Sequence, residues 1–354
     1  MSDDLLHYFH QLFVEDKRGE FPNTLLDNLR WTDCTNCGTM HAKNVCPNCS
    51  TFVPSLIKET VRGNVTCIHI FQTSGIILTA ATFDDGLKYL YYENGEFKRE
   101  GDMSIICGDI KPTMRFRIRG KETLIGDSGQ FITLVPGRKP EKTVVDCFGS
   151  LPLFDTNEHN KYWLYDGQLV KSDLLGQKFI GSVLKDQTLF WVGTQFGFGF
   201  YRAGNLHTGF VFDVHSGGIN DSISLPLIPG QLIDATCYFA GNWVWFLTTT
   251  REKGQTINRC LIIKSDGSIK EYAESKDGDN SWLGSIREKC AAGNFLLCAT
   301  DDGIVKVEPV GGSIIITKEF PDTEPFVDSG CHIYPDKNGI YVVDRKTIKI
   351  LQIR

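Results

Sequence analysis

Four cysteines form the pattern in this chain that is best suited to chemistry. Cys34 and Cys37 make one Cys-x-x-Cys pair, Cys46 and Cys49 make a second, and eight residues separate the pairs. Two tight turns of this kind can direct four thiolates at one tetrahedral ion, and zinc suits a closed site of four soft sulfur ligands. The spacing therefore predicts a structural Zn²⁺ ion, and four protein ligands leave no position for a substrate.

The same thiols allow other interpretations. An iron–sulfur cluster also takes four thiolates, and each pair could instead form a disulfide or a redox motif. A redox pair is expected at the strand–helix junction of a βαβ unit, and no such pattern surrounds either pair. We expect no secretory signal, because no basic segment followed by an apolar one occurs near Met1. These observations favour zinc over the alternatives.

The overall composition limits the class of protein. The chain has 354 residues and a net charge of -6, a balance that disfavours a general binder of nucleic acid or anionic membranes. No run of 18 or more apolar residues occurs, so no membrane span is predicted. The eight cysteines outside the two pairs are scattered singly among apolar residues, as buried reduced thiols are. We therefore expect a cytoplasmic protein.

The first part of the chain has helical character. Apolar residues from Leu5 to Phe13 recur at helical spacing, which predicts an amphipathic helix of about ten residues. A second short helix is predicted over Thr24–Leu29, with Asn23 as its N-cap. The apolar stripe of the first helix could pack on the rest of the protein or dock a partner, and packing is favoured. We assign residues 1–31 to this helical segment and residues 32–54 to the zinc ribbon.

From about residue 55 to the end the pattern is different. Short apolar strands alternate with glycine dipeptides that favour tight hairpin turns. These dipeptides are Asp85-Gly86, Asn94-Gly95, Asp166-Gly167, Asp266-Gly267, Asp302-Gly303 and Asn338-Gly339. No segment of this region keeps a helical period over three turns, so the region is predicted to be all-β.

Internal repetition predicts the architecture of this region. Seven segments share one plan of short strands separated by small residues and turns, and their starts lie about 40 residues apart, the size of a propeller blade. The first segment begins at Val65, and a strand over Ser55 to Val61 is expected to complete the last blade beside Thr347–Ile353. Closing the ring in this way would remove exposed edges. We predict a mainly β fold, a seven-bladed β-propeller over residues 55–354 with a small N-terminal helical and zinc-ribbon module.

Both parts of the chain resemble known modules. The double Cys-x-x-Cys resembles the short zinc ribbons found on many proteins, and the remainder resembles divergent β-propellers of the WD or quinoprotein-like kind. The Trp-Asp and Gly-His dipeptides of true WD repeats are missing. The propeller is also weakly similar to those of bacterial ternary systems that contain MoxR-type ATPases and von Willebrand A-domain proteins.

One basic feature could bind a ligand or partner. Arg115, Arg117 and Arg119 alternate with apolar residues between Met114 and Ile118. On a strand the arginines share one face, and with Lys121 they make a local positive strip. The strip could bind phosphate or an acidic partner. A solvated strand face paired with neighbouring acids is the favoured interpretation.

Other polar and aromatic patterns are interpreted as structural. The acidic pairs Asp84-Asp85 and Asp301-Asp302 lie at glycine turns, where aspartate bonds to the local backbone. The run Phe196–Phe200 alternates phenylalanine with glycine, which indicates close packing inside a blade before it indicates a base-stacking platform. No recurrent cluster of catalytic residues is apparent.

Three functions remain open on this basis. The favoured one is a non-catalytic scaffold that docks other proteins of a complex through the propeller faces and the zinc-ribbon arm. A propeller enzyme of hydrolase or lyase type, with a site at the mouth of the central channel, is the alternative. A nucleic-acid-associated factor is the third, although the ribbon carries a single lysine, Lys43. The oligomeric state is left open.

Overall fold

Two compact units make up the chain, Met1–Ile57 and Lys58–Arg354. The computed structural model describes residues 3–13, 19, 21–27, 31–33, 40–42, 59–173, 176–203 and 206–354. The predicted boundary between residues 54 and 55 stays a prediction, because it lies outside the described residues.

The first unit contains the two predicted helices. Helix α1 spans Asp3–Phe13 and α2 spans Thr24–Asp27. Two short strands, β1 (Thr32–Asp33) and β2 (Met40–His41), pair antiparallel. The four cysteines predicted to bind zinc, Cys34, Cys37, Cys46 and Cys49, lie outside the described residues.

The second unit is built from antiparallel sheets, and six of them have four strands in sequence order. Blade 1 consists of β5 (Ile76–Phe83), β6 (Gly86–Glu93), β7 (Glu96–Arg99) and β8 (Met103–Cys107), and blade 2 of β9 (Arg115–Arg119), β10 (Glu122–Asp127), β11 (Gln130–Leu134) and β12 (Glu141–Val144). A small hairpin of β13 (Cys147–Phe148) and β14 (Leu151–Pro152) leads to blade 3, which consists of β15 (Phe154–Thr156), β16 (Lys161–Tyr165), β17 (Gln168–Asp173) and β18 (Gly176–Ser182).

The next three blades follow the same plan. Blade 4 consists of β19 (Thr188–Val192), β20 (Phe196–Ala203), β21 (Leu206–Asp213) and β22 (Ile219–Ser224). Blade 5 consists of β23 (Gln231–Ala240), β24 (Trp243–Glu252), β25 (Gln255–Lys264) and β26 (Ile269–Lys276). Blade 6 consists of β27 (Lys289–Ala292), β28 (Phe295–Thr300), β29 (Gly303–Val310) and β30 (Ser313–Phe320), and a 3₁₀ helix over Pro321–Phe326 follows it.

Blade 7 closes the ring with strands from both ends of the unit. Its sheet runs β31 (His332–Asp336), β32 (Gly339–Val343), β33 (Thr347–Ile353), β4 (Val65–Gln72) and β3 (Glu59–Arg62). Around the ring, each first strand contacts the first strand of the next blade, and β31 contacts β5. The prediction of a seven-bladed β-propeller is therefore confirmed.

The seam of the ring differs from the prediction by one strand. Val65–Gln72, and not Ser55 to Val61, pairs with Thr347–Ile353, with Leu351 opposite Cys67. Val65 and Cys67 are buried in a core that blades 6 and 7 share, which fixes β4 beside β33. Strand β3 pairs with the far edge of β4. The segment taken as the start of the first blade therefore belongs to the last.

The predicted glycine turns lie at strand connections, as expected. Asn94-Gly95 and Asp166-Gly167 join neighbouring strands with positive φ at both residues, the conformation of a type I′ turn. The structure thus confirms the turn chemistry from which the blades were predicted.

The phenylalanine and glycine run is a packing device, as predicted. Its phenylalanines are buried on β20. A Cβ atom on Gly197 would lie 2.0 Å from the Phe212 ring, and one on Gly199 would lie 1.9 Å from the Phe210 ring. Glycine is required at both positions because these rings lie flat against the neighbouring backbone.

The eight cysteines of the propeller are free, and they do not all share one environment. Five are buried, as predicted, namely Cys67, Cys260, Cys290, Cys298 and Cys331. Cys147 and Cys237 are half-buried, and Cys107 is exposed, which the sequence did not indicate. Burial raises the pKa of Cys290 and Cys331 to about 12, so these thiols stay protonated and unreactive.

No helix among the described residues is long and apolar enough to cross a membrane.

Candidate functional site

The first strands of the blades enclose a central channel of about 900 Å³. Its lining comes from the beginnings of these strands, such as Ile77–Ala80 on β5 and Leu232–Thr236 on β23. We call the face at which the first strands begin the entry face, and the face at which they end the opposite face. Loops that lead from one blade into the next lie on the entry face, because each blade has four antiparallel strands.

One aspartate joins three of the channel strands. Asp155, on β15, accepts a hydrogen bond from Nε of Arg117 on β9 at 2.5 Å through Oδ1. Its Oδ2 accepts the backbone N–H of Val192 on β19 at 3.1 Å. The carboxylate therefore connects blades 2, 3 and 4, and both of its oxygens are engaged.

Arg115 lies two residues before Arg117 on the same face of β9. Its contacts with the neighbouring residues are long and therefore weak. Its side chain is 8% exposed and lines the channel. The guanidinium is 4.0 Å from Asp155, 3.5 Å from the carbonyl oxygen of Pro152 and 5.5 Å from the centre of the Phe154 ring. Burial, followed by the charge of Arg117, lowers the pKa of Arg115 to about 9 although Asp155 opposes the shift.

A second charged pair lies at the channel between blades 5 and 6. Arg287 precedes β27 and donates from Nε and Nη2 to Oδ2 of Asp234 on β23, at 3.0 and 2.6 Å. His332, at the start of β31, also lines the channel. Burial and the positive charge of Arg287 lower the pKa of His332, so that its imidazole is neutral at pH 7.

The charges of the channel lining sum to a positive excess. Four arginines line it, namely Arg115, Arg117, Arg287 and Arg345, together with two aspartates, Asp234 and Asp344. Asp344 accepts hydrogen bonds from the backbone N–H groups of Lys346 and Thr347, and it lies 3.7 Å from Nζ of Lys349. This aspartate is therefore partly neutralised outside the channel.

Apolar and aromatic side chains complete the lining. They include Met114, Phe116, Phe148, Leu189, Trp191 and Tyr334. Burial raises the pKa of Tyr334 to about 12, so its hydroxyl stays protonated. The channel can therefore hold an apolar body beside a charged group.

The four basic residues singled out from the sequence occupy different environments. Arg115 and Arg117 line the channel. Arg119 donates to Glu122 at 3.0 Å and to the carbonyl oxygen of His159 at 2.5 Å, and Lys121 is exposed in the turn after β9 on the opposite face. Met114, Phe116 and Ile118, which alternate with the arginines, pack with the core of blade 1.

The channel residues of other blades could not be grouped from the sequence. Arg287 and His332 come from segments far from Arg115 in the chain, and only closure of the ring brings them to one channel. The acidic pairs remain turn residues, as expected. Asp85 is paired with Lys88 at 2.8 Å, and Asp301 accepts the N–H of Ser329 at 2.9 Å.

The entry face also exposes large apolar side chains. Ile110, Leu184 and Leu227 lie in the loops that lead into blades 2, 4 and 5, Leu151 lies in the β13–β14 hairpin that leads into blade 3, and all four are exposed. Ile233, near the start of β23, is exposed beside the channel. These five residues are called the entry-face apolar set below.

Comparison with known proteins adds resemblances of fold. No protein-family model matches the chain, and no curated protein matches it. Among solved structures, hydrazine synthase of Kuenenia stuttgartiensis is similar with a TM-score of 0.48 and 8% identity, over 84% of this chain and 98% of that one.

Two further solved structures resemble the chain to a lesser degree. Hsv2 of Kluyveromyces lactis has a TM-score of 0.43 and 11% identity, over 76% of this chain and 90% of that one. The Pan2 WD40 domain of Neurospora crassa has a TM-score of 0.42 and 10% identity, over 78% and 89%. The zinc-ribbon and MoxR-system resemblances stay predictions. The strand pairing and the closed ring of this chain make it a seven-bladed β-propeller.

Proposed function

We propose that this propeller is a non-catalytic scaffold that docks a partner protein on its entry face. The entry-face apolar set carries the proposal. Large apolar side chains that recur on one face of a soluble fold are typical of an interaction surface, and here they occupy four successive connections between blades. Loops held by a rigid ring are also where propellers and similar scaffolds place binding residues.

The engagement of the channel carboxylates supports a scaffold over an enzyme. General acid–base catalysis needs a carboxylate or imidazole that can exchange a proton with a substrate. Asp155 is held by Arg117 and a backbone N–H, and Asp234 by Arg287. Asp344 is held by its own turn. These described carboxylates therefore serve the ring, and none of them is bonded to the channel imidazole of His332, so we do not propose a hydrolase or lyase.

Paired substitutions on the two faces test the docking surface. Leu227, 66% exposed, lies on the entry face, and Val310, 49% exposed, lies at the turn after β29 on the opposite face. Cross-linking followed by mass spectrometry of tagged protein from its native cell would identify the partner and its contact residues. Leu227→Asp is expected to reduce recovery of that partner at least about tenfold, since apolar contacts at an interface centre carry most of the affinity, whereas Val310→Asp leaves it unchanged.

Two outcomes would overturn the docking proposal. One is cross-links that map to the opposite face. The other is an equal effect of Leu227→Asp and Val310→Asp on recovery, with circular dichroism confirming that both variants are folded.

We propose further that Cys34, Cys37, Cys46 and Cys49 bind one structural Zn²⁺ ion and form a docking arm. The support is their spacing, together with the pairing of β1 and β2, which flank the first cysteine pair in the chain. Metal analysis of purified protein should give one zinc per chain. Cys46→Ser should lose the zinc while the unfolding transition of the propeller persists, because the propeller has its own core. Absence of zinc in the intact protein would contradict the ligand assignment.

A further inference from the structure

We propose that the entry end of the channel binds a small organic anion, whose carboxylate or phosphate group lies against Arg115 and Arg117 and whose apolar body lies along the channel wall. This site borders the entry-face apolar set, because Leu151 and Ile233 line the same channel, but it needs no partner protein. Its basis is one buried guanidinium, the charge around it and the shape of the space that it lines.

Arg115 has unused hydrogen-bonding capacity. A guanidinium carries five N–H donors, and among the described residues the acceptor within hydrogen-bond range of Arg115 is the Pro152 carbonyl, at 3.5 Å. The side chain is nevertheless 92% shielded from solvent, as its 8% exposure shows. A buried charge with so few partners is costly. An oxyanion is the ligand that would satisfy several of these donors at once, because the planar fork matches a carboxylate or phosphate.

The nearest acid cannot supply that anion. Both oxygens of Asp155 are engaged, Oδ1 by Arg117 at 2.5 Å and Oδ2 by the N–H of Val192 at 3.1 Å. Arg115 lies 4.0 Å from the same carboxylate, so two guanidinium groups share one negative charge. The lowered pKa of Arg115 reflects burial first and the charge of Arg117 second. The negative charge of a bound anion would oppose both effects.

The wider channel selects for an anion with an apolar body. The space of about 900 Å³ is larger than an inorganic ion needs and is in the range that holds small organic ligands. Met114, Phe148 and Trp191 supply apolar and aromatic surface beside the arginines. We therefore expect an aromatic or aliphatic carboxylate or phosphate to bind better than inorganic phosphate.

Titration calorimetry with four probes tests the ligand class. Phenyl phosphate and benzoate share the apolar body and carry the two candidate oxyanions, inorganic phosphate lacks the body, and benzyl alcohol lacks the charge. At least one organic anion is expected to bind more tightly than inorganic phosphate, whereas benzyl alcohol gives no signal. The preference between the first two identifies the oxyanion. High salt should weaken binding, since ions in solution screen the charges.

Matched variants locate the site. Arg115→Met is expected to weaken binding of the better probe by about tenfold to a hundredfold, the contribution of charge-assisted hydrogen bonds. Arg115→Lys, which keeps the charge and loses the fork, is expected to weaken it about tenfold. Arg138→Met, in an exposed loop on the opposite face, should bind as the wild type does. Thermal unfolding confirms that each variant is folded.

Several results would overturn this inference. They are failure of both organic anions to bind, binding by Arg115→Met and Arg115→Lys equal to wild type, and equal affinity for inorganic phosphate and the organic anions. A loss of partner recovery in Arg115→Met without any small-anion binding would assign the arginines to an acidic protein group instead. Leu227→Asp should bind the anion normally, so this inference and the docking proposal fail independently.

Discussion

Two buried arginines near opposite faces of the propeller differ in the number of their hydrogen-bond partners. Arg99, 1% exposed, lies at the end of β7 near the opposite face. Its five N–H donors reach both oxygens of Glu100, the carbonyl oxygens of Gly120 and Glu122, and the hydroxyl of Thr123. Arg115, near the entry face, is almost as buried, and its one hydrogen bond to a described residue is long, at 3.5 Å. Arg99 therefore joins blade 1 to blade 2 through its hydrogen bonds. Most N–H donors of Arg115, in contrast, remain available to a ligand.

Lys171, like Arg99, is a buried cation that bonds to the backbone of the next blade. It lies on β17 of blade 3, and its Nζ donates to the carbonyl oxygens of Val214 and His215 in the loop of blade 4 on the opposite face. Buried cations on this side of the ring thus bind the backbone of the next blade. The partners of a buried charge, and not its burial, therefore separate a structural role from a binding role.

The largest expected effect on stability comes from removing the charge of Asp155, the acid that lies 4.0 Å from Arg115. Asp155→Asn leaves two guanidinium groups without a counter-charge, and breaking a buried pair in this way costs about 4 kcal/mol. Urea unfolding should show the loss as a lower midpoint. Asp84→Asn, in an exposed turn on the opposite face, is the control and should unfold like the wild type. Equal midpoints for the two variants would contradict the role of Asp155 in joining three blades.

Arg99→Met tests the structural end of the comparison. The substitution leaves Glu100 and the acceptors of blade 2 without their donor, and we expect a loss of about 3 kcal/mol, since Glu100 is partly solvated. The free energy of unfolding from urea titration measures it. An Arg99→Met variant as stable as the wild type would remove the contrast with Arg115.

Glu93 tests whether the same rule holds for an acid near the entry face. Burial raises its pKa, but hydrogen bonds from Ser74, Thr73 and Lys98 outweigh burial and lower the pKa to about 2. Since the folded pKa lies below the unfolded value of about 4.3, the stabilisation is present at neutral pH and is lost as the pH falls from about 5 towards 2.

Glu93→Gln is therefore expected to cost about 1–2 kcal/mol at neutral pH, after allowance for partial exposure of the carboxylate. The difference from wild type should vanish near the folded pKa. Urea unfolding measured across this pH range would detect it, and a difference independent of pH would show that the charge of Glu93 plays no part.

Arg115→Met is expected to have the smallest effect on stability of the four substitutions. Replacing a buried, weakly paired charge by an apolar side chain of similar size is often neutral or stabilising, so we expect a change within about 1 kcal/mol. Measured beside Arg99→Met, the same substitution should give a clearly smaller loss. A loss equal to that of Arg99→Met would make Arg115 structural as well.

The blades could be predicted from the sequence because turn residues and packing glycines act on their near neighbours in the chain. Turn dipeptides such as Asn94-Gly95 dictate the hairpins, and the glycines of Phe196–Phe200 predict close packing without knowledge of the partner rings. The seam was misplaced by one strand because two successive segments, 59–62 and 65–72, both have strand character. Their order beside β33 is decided by contacts across the whole chain.

Only part of the candidate site could be predicted from the sequence, because its residues are brought together by long-range contacts. Alternation placed Arg115 and Arg117 on one strand face, which the structure shows. Their shared acid, Asp155, lies 38 residues from Arg117 in the chain, and no spacing rule connects the two. Arg119, indistinguishable from them in the sequence, has its own partner in Glu122. Which arginine lacks partners is a property of the closed ring.

Blade 7 combines strands from both ends of the propeller, and this affects how the chain folds while it is being translated. Strand β4 is made early, but its neighbour β33 spans Thr347–Ile353, almost at the end of the chain. During synthesis, the edge of β4 that faces β33 therefore waits with its backbone groups unpaired while six blades are translated. Such an edge is open to pairing with another chain. The pairing of β4 with β33 stabilises the finished ring, but it also exposes the growing chain to aggregation until β33 has been made.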